Sequence, residues 1–410
     1  MREYRKVKEM KTWILVPLPK GRKPVSCKWI YKTKTNADGS LDKFKARLVA
    51  RGYTQRKGID YEETFSPVAK MAIIRSVLSI AANEGLTLTQ FDVSTAFLNG
   101  SLSEEIFMKQ PEGYNDGSNN ICKLKRSLYG LKQAPRCWIK CIVDYLTSIN
   151  FKQCDNDNCL FIRNTRNSKI ILSLYVDDGL VASSNPQESK RFMKELTRRF
   201  KITIKPATYF LGLEITKTES SVKLSQKHYT EKLLIRFGMS DCKAVTTPIV
   251  KEDINDLEKE SIDGNTFLYR EAVGALAYLM VGSRPDLAYA ISVVSRALDK
   301  PTPADVSRVK RILRYIKGTL DYGIVYKKEY KTGILECYSD SDHASDATTG
   351  LSTSGILCLY SGAPISWCSR RQTCVAISST EAELVAASEA AREIIWLKRL
   401  FNEIVILRGT

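Results

Sequence analysis

Three aspartates carry the residue chemistry that most needs an explanation. Asp92 stands near the end of the alternating segment 86–93, and Asp177 and Asp178 close an apolar run that begins at Ile170. A charge at the end of an apolar strand needs a compensating partner. Three carboxylates gathered in one place would repel by roughly 4 kcal/mol per pair at about 4 Å and an effective dielectric of ~20. A hard divalent cation with oxygen ligands relieves that repulsion, and two such ions can activate a hydroxyl nucleophile while stabilising a leaving oxygen. The residues alone also fit a plainer account, in which Asp178-Gly179 serves a hairpin turn and Asp92 is an ordinary strand-end acid.

Periodicity predicts the elements that must hold these acids. Residues 86–93 alternate as a strand, and residues 170–181 read as a hairpin with its turn at Asp177-Asp178-Gly179, which sets two acids at its tip. Upstream, residues 71–83 are apolar at helical spacing and Gly85 ends the helix. Between residues 13 and 49 short apolar runs are broken by Pro17, Pro19, Pro24 and the turn Ala37-Asp38-Gly39-Ser40, which predicts strands and a hairpin. On it Lys43, Lys45, Arg47 and Arg51 interleave with Phe44, Ala46, Leu48 and Val49, a basic face suited to phosphates. Residues 187–200 form a charged amphipathic helix, and 209–215 one further strand. From 226 to 316 the pattern is mostly helical, as in a separate lobe, broken at Thr247-Pro248, over the charged loop 251–264 and at Pro301-Thr302-Pro303. Strands return at 334–338, 354–360 and 365–368. A long helix over 379–404 follows, with an apolar face of Leu384, Ala387, Ile394, Leu397 and Leu400 that the strands present would leave partly uncovered.

Totals narrow the partners. A chain of 410 residues exceeds what one hydrophobic core sustains, so two or three are expected. Lysine and arginine number 63 against 45 acids, a formal net charge of +18. Residues 1–60 hold 17 basic and 5 acidic side chains, which favours a nucleic acid as partner. A membrane surface ranks lower, because that segment lacks an amphipathic helical stripe. Eleven cysteines include two close pairs, Cys137/Cys141 and Cys154/Cys159, but the only histidines are His228 and His343. This argues against a zinc ribbon and a Ser/His/Asp hydrolase, and the odd cysteine count argues against a secreted disulfide scaffold. The first eleven residues are too charged for a signal peptide, and no apolar run approaches the ~20 residues of a membrane span. An intracellular protein without a membrane partner is expected.

The motifs, taken in order, resemble a known family. The segment 47–55 (RLVARGYTQ), the segment 60–68 (DYEETFSPV), the segment 90–100 (QFDVSTAFLNG), the segment 127–138 (SLYGLKQAPRCW) and Tyr175-Val176-Asp177-Asp178 are similar to successive blocks of copia-type retrotransposon reverse transcriptases. The resemblance implies an α+β right-hand polymerase, with fingers and palm over 1–225 and a helical thumb or connection over 226–332. It implies an RNA- and DNA-templated DNA polymerase using two Mg²⁺ ions, with Mn²⁺ a possible substitute. Asp92 and Asp177 would be the principal metal ligands, Asp178 a peripheral one, and the Val93 carbonyl a further oxygen. Lys45 and Arg47 would hold the triphosphate, and Gln133 would contact sugar and base. Phe97 would exclude a 2′-hydroxyl by bulk, where the residues alone allow a core phenylalanine. Phe210, Leu211 and Gly212 would grip the primer, and Lys205 would protonate pyrophosphate. The implied partners are an RNA template, a DNA primer/template, deoxynucleoside triphosphates and the rest of a Pol polyprotein with integrase and protease, in a cytoplasmic particle or the nucleus.

The last segment resembles the start of the same family's ribonuclease H domain, through Tyr338 to Asp342, Ser352 to Gly355, Ile365 to Trp367 and Ser378 to Leu384. Asp340 and Glu383 would be two of its four acids, while His343 stands where the family has tryptophan. The other two acids belong to a later strand and helix, so a truncated α/β domain over 333–410, without nuclease activity, is expected. The alternative for the whole chain is a non-catalytic nucleic-acid-binding remnant of a degraded or domesticated transposon.

Overall fold

Alternation of apolar residues builds the sheet on which the three aspartates stand. The structure is a computed structural model that describes residues 2–35, 40–166, 168–250, 268–328, 333–346 and 348–405. The expected turn at Ala37-Asp38-Gly39 and the charged loop 251–264 lie outside the described residues. After helix α1 (Arg2–Glu9) and strand β1 (Trp13–Val16), a long hairpin forms from β2 (Cys27–Thr35) and β3 (Leu41–Ala50). It pairs Ile30 with Arg47 and Lys32 with Lys45. Helix α2 (Met71–Asn83) is buried from Ala72 to Asn83, as befits a helix apolar on all sides. Then come β4 (Thr87–Val93), β5 (Phe107–Met108), β6 (Ile121–Leu124), α3 (Ala134–Ser148), β7 (Lys152–Gln153), β8 (Leu160–Thr165), β9 (Ser168–Tyr175), β10 (Asp178–Ser183), α4 (Pro186–Arg199) and β11 (Ile202–Pro206). Strands β1, β6 and β5 make a small sheet beside the basic hairpin. The main sheet has the order β11-β4-β10-β9-β8-β7. Successive residues face opposite sides of it. Ile171 and Leu180 pack with Ile73, Ile74 and Val77 of α2, whereas Leu172, Leu174 and Val181 meet Trp138 and Ile142 of α3 and Phe192 of α4.

Residues 209–215 are not one strand. The chain reverses at Leu211 (φ 51°) and Gly212 (φ 83°), so β12 (Tyr209–Phe210) folds back on β13 (Leu213–Lys217). Tyr278 packs on this turn: its hydroxyl donates to the Leu211 carbonyl at 3.1 Å and would lie 1.9 Å from any Cβ at position 212. Strand β14 (Ser221–Ser225) leads into helices α5 (Lys227–Arg236), α6 (Tyr269–Ser283), α7 (Ala288–Val294) and α8 (Pro303–Gly318). These share a core around Leu276, Leu287, Val309 and Ile312. The break at residues 301–303 is a helix start, where Thr302 and Asp305 cap each other and Pro303 fills the first turn. The helical lobe is not closed on itself, since β15 (Gly323–Lys327) returns to pair antiparallel with β14.

Strands β16 (Leu335–Ser341), β17 (Thr353–Tyr360) and β18 (Ala363–Arg371) form an antiparallel sheet capped by helix α9 (Ser379–Ile404). Here the expected helix face is corrected. Leu384 is 65% exposed and Ala387 faces solvent, while Ala382, Ala386, Ala390, Leu397, Leu400, Phe401 and Ile404 are buried. The small alanines, four residues apart, let the first half of α9 lie close on the sheet. Its second half enters the core that also contains Ile73, Ile74 and Leu78, so Leu397 and Leu400 are covered while Leu384 stays bare. Arg75 of α2 pins this junction. Its guanidinium donates to the carbonyls of Ile365 (2.7 Å), Val281 (2.6 Å) and Gly282 (3.3 Å) and lies 3.8 Å from the Trp367 ring centre. Burial pushes its pKa down to about 10, still well above neutrality.

Candidate active site

Strand pairing brings the three aspartates together. Asp178 is directly opposite Asp92 across β10 and β4, and Asp177 occupies the turn just before β10. The turn is therefore one residue earlier than expected, at Val176-Asp177, with Asp178 and Gly179 already in the strand. Val176 takes φ 57°, a strained conformation for a β-branched residue. Two contacts hold it there. The Trp138 indole donates to the Val176 carbonyl at 2.6 Å, and the Val93 amide donates to the Asp177 carbonyl at 2.8 Å. Gly179 is needed for a different reason from turn geometry, because the buried Phe91 ring sits where its Cβ would be.

All three acids and Val93 line one cavity of about 1170 Å³, and the facing wall carries Lys45 and Arg47 from the basic hairpin. Burial pushes the Asp177 carboxyl above the usual carboxylate range and the Asp92 charge adds to this, while Arg47 and Lys45 pull it down. Among the described residues no three His, Cys, Asp or Glu side chains are arranged to hold a metal ion by themselves. The donor set is nonetheless all oxygen and anionic. It suits a magnesium-like ion that takes one or two carboxylates and completes its shell from water and substrate phosphates. Leu211 lines the cavity beside Tyr209, and Lys205 lines it from β11.

Other expected positions fall elsewhere. Gln133 is 1% exposed and does not line the cavity. It donates to the Asp60 carbonyl at 2.9 Å and accepts from Gln55 at 3.0 Å, a buried structural pair. Phe97 does not line the cavity either; its ring meets that of Tyr129 edge to face at 4.9 Å between ring centres. Phe210 is 3% exposed and belongs to the core, so only its neighbours can touch a ligand. Glu383 accepts weakly from the Ser341 amide at 3.3 Å, which sets it beside Asp340 at the end of β16. Asp340 lines a second cavity, of about 720 Å³. Cys154 and Cys159 are buried thiols, each pushed up to about 12 by burial, and none of the eleven cysteines is bridged.

The cavity also holds residues the motifs did not single out: Lys6, Lys32, Tyr129, Lys201 and Thr203. The period-two pattern Lys201-Ile202-Thr203-Ile204-Lys205 was a legible signal, and the register of β11, with Thr203 opposite Asp92, explains it. Lys6 had no such signal, since a remote segment brings it in, and Tyr129 lay within the block 127–138 without being picked out. Six cations thus line the cavity against three carboxylates.

Residues 10–251 match the family model described as reverse transcriptase (RNA-dependent DNA polymerase). The chain belongs to the reverse transcriptase family. It is 42% identical over 96% of its length to the retrovirus-related Pol polyprotein from transposon TNT 1-94 of Nicotiana tabacum, and spans 30% of that protein. Against the corresponding polyprotein from transposon RE1 of Arabidopsis thaliana it is 40% identical over 96% of the chain and 27% of the relative. With the Ty1-NL2 Gag-Pol polyprotein of Saccharomyces cerevisiae it shares 27% identity over 88% of the chain and 21% of the relative. The chain thus spans less than a third of each. The resemblance to copia-type elements holds over most of its length. Among solved structures, the foamy viral protease-reverse transcriptase in complex with double-stranded DNA is similar at 13% identity and a TM-score of 0.48, over 96% of this chain and 60% of that one. Among the described residues no helix is long and apolar enough to cross a membrane.

Proposed function

We propose that the chain is the RNA- and DNA-templated DNA polymerase segment of a copia-type Pol polyprotein, acting by two-metal nucleotidyl transfer. The observation that carries this is the pairing of Asp92 with Asp178, with Asp177 at the adjoining turn, in a cavity whose opposite wall bears Lys45 and Arg47. On this reading residues 1–225 serve as fingers and palm, 226–332 as thumb or connection, and 333–410 as a ribonuclease H-like module in which Asp340 and Glu383 are two metal-binding acids. Asp92, Asp177, Asp178 and the Val93 carbonyl would hold Mg²⁺, or Mn²⁺ in its place. When bound, these ions neutralise the carboxylates and the leaving pyrophosphate.

The chain's own residues do the rest. Arg47 and Lys45 grip the triphosphate and turn its α-phosphorus toward the primer 3′-hydroxyl. Lys205, on the strand beside Asp92, delivers a proton to the departing pyrophosphate. Leu211 and Gly212, with Tyr209, hold the primer end. The excess of cations over acids in the cavity suits RNA template, DNA primer and deoxynucleoside triphosphates alike. Integrase and protease segments of a longer polyprotein, in a cytoplasmic particle or the nucleus, complete the proposal.

Primer extension on an RNA template with Mg²⁺ tests it. Wild type is expected to add deoxynucleotides, and Asp177→Asn and Asp92→Asn to abolish synthesis while still binding the hybrid. Undiminished synthesis by Asp177→Asn would refute the site. Salt-sensitive binding with no incorporation by wild type would favour the non-catalytic remnant.

A further inference from the structure

We infer that Cys337 and Cys358 form a site of reversible oxidation, closing to a disulfide across β16 and β17 when a small-molecule disulfide such as oxidised glutathione accumulates. The inference does not depend on the polymerase reading. Cys337 of β16 stands directly opposite Cys358 of β17, and their Sγ atoms lie 2.8 Å apart. Residues directly opposite in an antiparallel pair keep their Cα atoms about 4.5–5.5 Å apart, inside the roughly 4.4–6.8 Å that a disulfide spans. Closing the bond asks the sulfurs to approach by about 0.8 Å, with no change of strand register. Among the described residues, sulfur contact at this range is made by this pair and not by Cys137/Cys141 or Cys154/Cys159, whose closeness in sequence is the more obvious signal.

The surroundings set which sulfur reacts first. Cys358 is fully buried in the core that α9 closes, whereas Cys337 is only partly buried. The Cys337 thiolate therefore attacks one sulfur of the small disulfide and releases the first small thiol. Cys358 then attacks the Cys337 sulfur of the mixed disulfide, gives up its proton and releases the second. Two protons and two electrons pass from the protein to the small disulfide, which becomes two thiols. Burial pushes both cysteines above the usual thiol range, and the Glu393 carboxylate of α9 adds to this. A scarce thiolate makes the exchange slow. It also leaves the reduced pair without the charge stabilisation that would resist oxidation, so the bridge persists until a reductant reaches Cys337. Side chains alternate across the sheet, so the bond lies on the α9 side while Asp340, three residues beyond Cys337, lines the second cavity on the other. Oxidation thus stiffens a wall of that cavity without entering it.

The test treats the full chain, purified under reductant and then freed of it, with oxidised glutathione under exclusion of air. Non-reducing digestion and mass spectrometry should recover a peptide cross-linked through Cys337 and Cys358, and dithiothreitol should abolish it. Exposed Cys374 serves as the internal control, since it should take up glutathione and stay unbridged. The bond joins positions 21 apart in sequence, which should raise the melting temperature by a few degrees. Cys337→Ser should lose both the cross-link and the rise, while Cys368→Ser, at the third thiol nearby, should keep both. Three results would overturn the inference: no cross-link while Cys374 carries glutathione, glutathione retained on Cys337 without the internal bridge, or a bridge from Cys358 to Cys368 instead. The cross-link is read in the wild-type chain, so the answer stands even where a variant misfolds.

Discussion

Substitution of Gly179 by alanine puts the packing beneath the aspartate-bearing strands to a direct test. A Cβ at this position would lie 2.2 Å from Cζ and 2.3 Å from Cε1 of Phe91. Carbon atoms in contact normally keep about 3.5–4.0 Å apart, so ring or strand must yield by more than ~1 Å. Phe91 is 1% exposed and packs among Trp138, Ile170, Leu172 and Val181, which leaves it nowhere to go. Overpacking of a filled core costs typically 1–3 kcal/mol, and the depth of this overlap argues for the upper end, about 3 kcal/mol. Because β10 pairs Gly179 with Phe91 and Asp178 with Asp92, the relief would separate the two acids as well. Urea unfolding followed by tryptophan fluorescence should report the loss, and primer extension should fall with it. Adding Phe91→Leu frees the space, so the double variant should recover about 1–3 kcal/mol relative to additivity. A stable Gly179→Ala protein, or strictly additive single effects, would refute the account.

Three further outcomes follow from the same packing. Arg75→Met would leave the Ile365, Val281 and Gly282 carbonyls without their donor and should lower stability by about 3 kcal/mol or more, read as a drop in melting temperature. Removal of residues 333–410 should expose the core shared by Ile73, Ile74, Leu400 and Phe401, giving aggregation or dye binding to apolar surface, where a monodisperse, fully active fragment would contradict it. On α9, Leu384→Lys should change stability by no more than about 0.5 kcal/mol, because that side chain is 65% exposed, whereas Ala386→Lys should unfold the module, as circular dichroism would reveal.

Local patterns made much of this molecule legible. The helix over 71–83, the strand that carries Asp92 and the helix over 379–404 follow from apolar spacing, which burial imposes residue by residue. Where one side chain enters another segment's space, the pattern is silent. An apparent strand at 209–215 is a hairpin, with Tyr278 bonded to its turn. Gln55 and Asp60 draw Gln133 into the interior.

The carboxylates themselves illustrate the division. Sequence alone determined that Asp92, Asp177 and Asp178 follow apolar strand segments, that the surrounding blocks occur in a family's order, and that the first 60 residues are strongly basic. Those features depend on residue type and near spacing. Only the tertiary structure decided that the turn falls at Val176-Asp177, that Tyr129 rather than Phe97 meets the cavity, and that α9 completes the core beneath the main sheet. Each of these depends on which distant surfaces come into contact, and close packing sets that only once the whole chain has folded.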